Sequence, residues 1–267
     1  RLFSTLYGQT LNVGRVMTPT LAMAVMREAA ISAFKPELFY TVQIGLDGFT
    51  AASERFKTKA AAEAVKQSCS VAIVQKAECK EKTEKPPALY DLTSLQREAN
   101  RVLGYTAQQT LDYTQNLYEK KLVTYPRTDA RVLSTGGSKE IYKNISGLRN
   151  YEHTAEIAQH IIEQGNYKNL AKTRYVNDKQ ITDHYAIIPT GQGLNVLGSV
   201  SLTAQRVYET IVRRFLCIFY PPAVYQKVSL VTKLDGEAFF SSFKVLKEEG
   251  YLKIATNSFF AEKDFRQ

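Results

Sequence analysis

Apolar residues recur at helical spacing in several parts of the chain, and residues that start or stop helices bound each part. The first helix is predicted to open at Thr18-Pro19, because threonine can cap free backbone amides and proline suits the first helical position. It should end before Pro36. A second helix follows Thr106, whose Thr-Ala-Gln-Gln run fits a capping box, and ends near Lys120, a cation suited to the negative end of a helix dipole.

Further helix signals flank that second helix. Thr93-Ser-Leu-Gln96 also fits a capping box, so a helix is predicted from there. Another follows Thr203, carries apolar residues at helical spacing, and ends at Pro221-Pro222. The alanine-rich stretch 58–67 is predicted to be helical as well.

Alternation of apolar and polar residues predicts strands over 39–46 and 224–243, with a shorter strand at 71–77. The charged segment from Glu78 to Pro87, which ends in prolines, is predicted to be a linker or hinge. The order is therefore strands, helices and strands again. A helical domain inserted into a β-rich domain, in an α+β multidomain fold, explains that order simply.

Composition narrows the class of protein. No apolar run approaches the roughly 20 residues of a membrane span. The chain carries 35 Lys and Arg against 26 Asp and Glu, a net charge of +9, which favours a polyanionic partner such as nucleic acid. Three cysteines form no CxxC pair and suit a reducing cytosol, and three scattered histidines indicate no metal site. Seven cations against two acids fall between positions 120 and 149: Lys120, Lys121, Arg127, Arg131, Lys139, Lys143 and Arg149, against Asp129 and Glu140.

The segment Leu122-Val-Thr-Tyr-Pro-Arg-Thr-Asp129 lies in that basic stretch. Pro126 disfavours helical backbone at Tyr125, so Tyr125 and Arg127 should share one face of an extended segment. A phenol titrates near pH ~10, and a fixed guanidinium stabilises both its phenolate and the charge of a phosphate under attack. The alternative is that Tyr125 packs on the surface, Arg127 pairs with Asp129, and Thr128 or Asp129 caps the next helix.

Three segments together resemble the type IA DNA topoisomerases. The run 122–129 is similar to their active-site signature, a tyrosine, a variable residue and then Arg-Thr-Asp. The run 13–21, VGRVMTPTL, resembles their GRVQTPTL block, and 182–190, TDHYAIIPT, resembles their HxAIxPT block. The last form is closest to topoisomerase III. Met17 stands where the family usually has glutamine, and Tyr185 follows His184 where His or Glu is commoner.

The resemblance implies roles for single residues. Tyr125 would attack a phosphodiester of single-stranded DNA and join its 5′ phosphate. Arg127 would hold the scissile phosphate, and His184 would hydrogen-bond a phosphate or a neighbouring group, although a purely structural histidine before Pro189 is the alternative. Asp129 would orient Arg127 or cap a helix. DNA phosphate would contact the segment before the first helix, namely Asn12, Val13, Gly14, Arg15, Val16, Met17 and Thr18.

The resemblance also implies an architecture and a cofactor. Residues 1–35 would belong to a base domain, 36–90 and 200–267 to a β-rich arch, and 91–199 to the helical domain that carries Tyr125, in part of a toroidal enzyme. Magnesium would be held by an acidic cluster of a Toprim domain before Arg1, so the chain is interpreted as a central fragment. We expect it to be cytoplasmic and monomeric, to bind single-stranded DNA weakly, and not to relax supercoiled DNA alone.

Two rival functions remain at this point. One is a DNA-binding module or degenerate topoisomerase that uses the basic surface without cleavage. The other is a tyrosine recombinase, which would need a His-x-x-Arg motif before its tyrosine, and none precedes Tyr125.

Overall fold

The computed structural model describes residues 2–10, 14–46, 48–67, 72–234 and 236–258. The helices in these ranges are α1 (Leu2–Tyr7), α2 (Met17–Ser32), α3 (Lys59–Gln67), α4 (Leu92–Leu103), α5 (Ala107–Glu119), α6 (Thr135–Gly147), α7 (Ala155–Gln164), α8 (Leu202–Cys217) and α9 (Leu252–Ala255). The strands are β1 (Gln43–Leu46), β2 (Phe49–Ser53), β3 (Ile73–Glu84), β4 (Ala223–Leu234) and β5 (Glu237–Glu248). None of the described helices is both long enough and apolar enough to cross a bilayer.

The strands form one sheet in the order β1-β2-β5-β4-β3, and the chain divides into two compact units. The smaller unit contains Arg1–Lys76 and Leu230–Ser241. In it, β1 and β2 pair antiparallel, and Ala52 of β2 lies opposite Phe240 of β5. Its apolar core consists of Val42, Ala51, Ala62, Leu234 and Phe239.

The larger unit contains Ala77–Ser229 and Ser242–Gln267 and holds the main core. Helices α4 and α8 both pack against α5, and side chains such as Leu95, Leu117 and Phe215 are completely buried there. Helix α8 thus packs within the larger unit, together with α4 and α5, although the sequence predicted that residues after position 200 belong to the β-rich arch. The domain borders expected from the sequence remain a prediction, and the two compact units divide the chain differently.

Several predicted helix and strand ends need correction. Asp91, not Thr93, caps α4, and its carboxylate accepts the amide of Ser94 at 2.7 Å. Helix α8 is capped by Ser201 rather than Thr203. Helix α2 begins at Met17 without a side-chain cap, because the Thr18 hydroxyl accepts the backbone amide of Gly14 instead. The strand predicted over 39–46 begins only at Gln43.

The predicted linker at 78–87 is wrong over most of its length, since β3 continues to Glu84. The residues after it are held by side chains. Tyr175 donates its hydroxyl to the Pro86 carbonyl at 2.7 Å, and Arg131 donates to the Leu89 carbonyl at 3.1 Å. Arg174 also donates to Pro86, and Arg214 donates to the Ala88 carbonyl. The expected hinge near Glu84 to Pro87 is therefore a hydrogen-bonded segment.

The predicted capping box of α5 is confirmed, and its contribution to the free energy of unfolding can be tested. The Thr106 hydroxyl accepts the Gln109 amide at 3.1 Å, and the Gln109 side chain accepts the Thr106 amide at 2.9 Å. We expect Thr106→Ala to lower the free energy of unfolding by about 1 kcal/mol. Urea unfolding followed by circular dichroism measures it, and Thr106→Ser is the control, because serine keeps the cap. Equal loss in both variants would contradict the assignment.

Candidate active site

The run after α5 and the run 182–190 lie side by side, although about 60 residues separate them in sequence. The amide of Thr124 donates to the Ile188 carbonyl and that of Thr190 to the Leu122 carbonyl, both at 3.0 Å. The Thr124 hydroxyl donates to the Ala186 carbonyl at 3.0 Å and accepts the Ile188 amide at 2.9 Å. Two of the three segments that carry the family resemblance are thereby joined into one structure.

Thr128 makes a second connection between these runs. Its hydroxyl donates to the carbonyl of His184 at 2.8 Å and accepts the amide of Ala130 at 3.1 Å. Its own carbonyl accepts the amide of Leu92 at the start of α4. The side chain is 9% exposed, so a buried hydroxyl with both roles filled fixes the backbone of His184.

Side chains from 125 to 130 alternate between two environments, as an extended segment requires. The buried ones are Pro126, Thr128 and Ala130, whereas Tyr125 is half-buried and Arg127 and Asp129 are exposed. The tyrosine and the guanidinium therefore occupy the same, solvent-facing side of the segment.

The Tyr125 ring packs between two other aromatic rings. Its centroid is 4.4 Å from that of His184, with the planes tilted by 45°, and 5.4 Å from that of Tyr118 in an edge-on arrangement. These contacts restrict the ring, and Tyr125 lines an open pocket of about 350 Å³. The pocket is lined by Tyr118, Lys121, Val123, Thr124, Tyr125, His184, Tyr185, Thr190 and Gln192.

The electrostatic character of this pocket is positive. Its lining has a lysine and a histidine and no carboxylate. Burial, with a smaller contribution from Glu140, raises the pKa of Tyr185, so this phenol is harder to ionise than one in water. Across the described residues, Arg127 makes no ion pair with Asp129, whose carboxylate accepts a long hydrogen bond of 3.4 Å from Thr182. The Arg127 guanidinium is thus open to an external anion.

The third resembling segment lies in the smaller unit. Asn12 and Val13 fall outside the described residues, whereas Gly14, Arg15, Met17 and Thr18 are described. Met17 is exposed and, with its neighbours Val16, Thr18, Thr20, Leu21 and Ala24, lines an apolar concavity of about 610 Å³. The structure gives no geometry for DNA contact by this segment.

No group of three or more His, Cys, Asp or Glu side chains that could hold a metal lies within the described ranges. The resemblance places the magnesium ligands outside this chain, and no step below is routed through a metal.

Sequence reasoning assigned no site role to three residues that line the pocket, Tyr118, Lys121 and Gln192. Tyr118 is the penultimate residue of α5, and the spacing of apolar residues in that helix does not mark it as a site residue. Lys121 has a positive φ of 59°. From sequence, positive φ is predicted at glycine or asparagine and not at lysine.

The chain belongs to the DNA topoisomerase family, whose family model matches residues 1–265. The resemblance to type IA enzymes is confirmed. DNA topoisomerase 3 of Bacillus subtilis (strain 168) is 36% identical over an alignment of 262 positions that covers 94% of this chain and 35% of that protein. DNA topoisomerase 3 of Bacillus licheniformis is 34% identical over an alignment of 274 positions that covers 99% of this chain and 37% of the relative. The chain thus spans about a third of the length of these relatives.

The fold is similar to that of full-length topoisomerase I from Thermotoga maritima. The two structures superpose with a TM-score of 0.67 and 24% sequence identity over 94% of this chain and 41% of the other. This similarity concerns the fold, and it agrees with the α+β architecture predicted from the sequence.

Proposed function

We propose that this chain is the strand-cleaving part of a type IA DNA topoisomerase of the topoisomerase III kind, with Tyr125 as its nucleophile. The observation that carries the proposal is the placement of the Tyr125 ring at an open, positively lined pocket, packed against His184, with Arg127 on the same face. A phosphodiester that enters this pocket meets the side chains of Tyr125, His184 and Lys121. Arg127 does not line the pocket and lies exposed on the same side of the segment as Tyr125.

The chemistry is an exchange of phosphodiesters. The Tyr125 oxygen attacks phosphorus and loses its proton, a P–O bond to Tyr125 forms, and the bond from phosphorus to the 3′ oxygen breaks. The 3′ oxygen takes a proton and leaves as a hydroxyl, while the 5′ phosphate stays on the enzyme. One phosphodiester replaces another, so the reverse reaction reseals the strand without ATP.

Arg127 and His184 have separate parts in that exchange. The guanidinium of Arg127 pairs with the phosphate and stabilises the negative charge that grows on its oxygens. His184 donates a hydrogen bond to a phosphate oxygen, from a ring position that Thr128 fixes through the backbone. Among the described residues, Asp129 does not pair with Arg127, and its carboxylate accepts the Thr182 hydroxyl at 3.4 Å.

The remaining expectations belong to the same proposal. The substrate is single-stranded DNA, Gly14 to Thr18 with Asn12 and Val13 contact its backbone, and the helical part 91–199 carries the nucleophile between β-rich segments. Magnesium is held by carboxylates outside the residues described here. The protein acts as a cytoplasmic monomer, and this chain alone binds DNA weakly without relaxing supercoils.

The test uses single-stranded oligonucleotides labelled at either end, with the full-length protein and magnesium, and denaturation by detergent to trap the covalent complex. We expect the 3′ label to migrate with the protein and the 5′ label to be released on a fragment with a free hydroxyl. Mass spectrometry should find the nucleotide on Tyr125. Retention of the 5′ label instead would indicate recombinase chemistry, and binding without any adduct would indicate a non-catalytic DNA-binding module.

A further inference from the structure

Lys121 is unusual in its backbone. Among the described residues it is the one non-glycine residue with positive φ, at 59°. A side chain in this left-handed region crowds the following carbonyl, and glycine adopts it without that crowding. A strained residue of this kind persists only where its surroundings hold it, and such residues concentrate at functional sites.

The surroundings that hold Lys121 belong to the site. Its amide donates to the Tyr118 carbonyl at 2.8 Å, and its carbonyl accepts the Thr190 hydroxyl at 2.5 Å. The next amide, that of Leu122, donates to the Leu117 carbonyl at 2.9 Å. The left-handed turn therefore ends α5 and starts the segment that carries Tyr125.

The side chain of Lys121 lines the same pocket as Tyr125 and His184 and is exposed. No hydrogen bond or ion pair involves its ammonium group within the described part of the chain, and no carboxylate lines the pocket. The neighbouring Lys120 differs, because its ammonium group donates to the Ser199 hydroxyl at 3.5 Å and it does not line the pocket. Two adjacent lysines thus have different environments.

We propose that Lys121 binds the DNA backbone phosphate next to the scissile one and so positions the strand for attack by Tyr125. This inference rests on the proposed function. Phosphate binding explains why a lysine occupies a backbone conformation that glycine would adopt without strain. The left-handed turn brings the Lys121 side chain to the pocket, and a single DNA strand bound there presents consecutive phosphates.

The experiment compares Lys121→Gly, Lys121→Gln and Lys120→Gln in the full-length protein. Affinity for a single-stranded oligonucleotide is measured by fluorescence anisotropy at several salt concentrations, beside the thermal midpoint. Lys121→Gly relieves the backbone crowding, so its midpoint should be equal to or above that of the unchanged protein, whereas its affinity should fall roughly tenfold. Lys121→Gln should lose affinity similarly. The slope of log K against log salt should fall by about 0.7 in both, because one phosphate contact to a single strand is lost.

Lys120→Gln removes the same charge one residue away and should change the affinity by less than about twofold. Equal losses from both lysines would show a generic charge effect and overturn the inference. Unchanged affinity and salt slope in both Lys121 variants, with the adduct still lost in Tyr125→Phe, would overturn it and leave the proposed function intact. An adduct that survives in Tyr125→Phe would overturn both.

Discussion

Replacement of Tyr125 by phenylalanine is expected to abolish the covalent DNA adduct while single-stranded DNA binding stays within about twofold. The change removes one oxygen atom and keeps the ring, so the packing against Tyr118 and His184 is retained. In the proposed reaction that oxygen is the nucleophile, and water cannot replace it because hydrolysis would not conserve the phosphodiester. Gel separation of denatured reactions, with a labelled oligonucleotide, measures the adduct.

The pocket itself provides matched controls, since two other phenols line it. Tyr118→Phe and Tyr185→Phe each delete the same atom close to the same position. We expect both to retain the adduct, because burial disfavours the phenolate of Tyr185 and Tyr118 contributes its ring to the packing. An adduct that depended on either of these hydroxyls and not on that of Tyr125 would refute the assignment of the nucleophile.

Gly147→Ala is expected to lower the free energy of unfolding of the larger unit by about 3 kcal/mol or more. Gly147 has ordinary helical backbone, with φ −61° and ψ −38°, so its conformation does not require glycine. A Cβ atom there would overlap the carbonyl oxygen of Gly191 and lie 2.6 Å from its carbonyl carbon. Backbone atoms cannot rotate away, so α6 and the run after Pro189 would have to separate.

The same helix supplies a control for this substitution. A Cβ at Gly136 would meet one hydroxyl oxygen at 3.9 Å, so Gly136→Ala should leave stability unchanged or raise it by up to about 1 kcal/mol. Urea titration of both variants distinguishes a steric effect from a general effect of alanine in α6. We also expect Gly147→Ala to reduce cleavage, because Asn144 donates to the Pro189 carbonyl at 2.8 Å and Thr190 contacts Lys121. Equal stability in the two variants would contradict the close contact.

The sequence predicted those structural features that depend on residues close together along the chain. The Thr106 capping box and the extended segment after Pro126 follow from residues within four positions of one another, and the structure contains both. The capping box predicted at Thr93 was wrong because Asp91, two residues earlier, takes that position and forms its own box with Ser94. A charged stretch was taken for a linker because a strand with mostly exposed side chains lacks the alternation that marks a half-buried one.

The candidate site shows the same limit. Its two segments were identified by their motifs, but their contact depends on backbone hydrogen bonds between positions about 60 residues apart, such as Thr124 with Ile188. The spacing of apolar residues along the chain does not indicate which distant segments pair with each other. The packing of Tyr118 on Tyr125 and the left-handed turn at Lys121 likewise arise from tertiary structure.

The hydrogen bonds to the carbonyls of Pro86, Ala88 and Leu89 have a mechanical consequence. In the proposed reaction, a DNA strand joined to Tyr125 pulls on the larger unit, in which Tyr175 and Arg214 hold the residues that follow β3. Tension on the strand is therefore shared among several lateral attachments instead of running along one stretch of main chain. A slack tether at this point would absorb a displacement, whereas this anchorage transmits it.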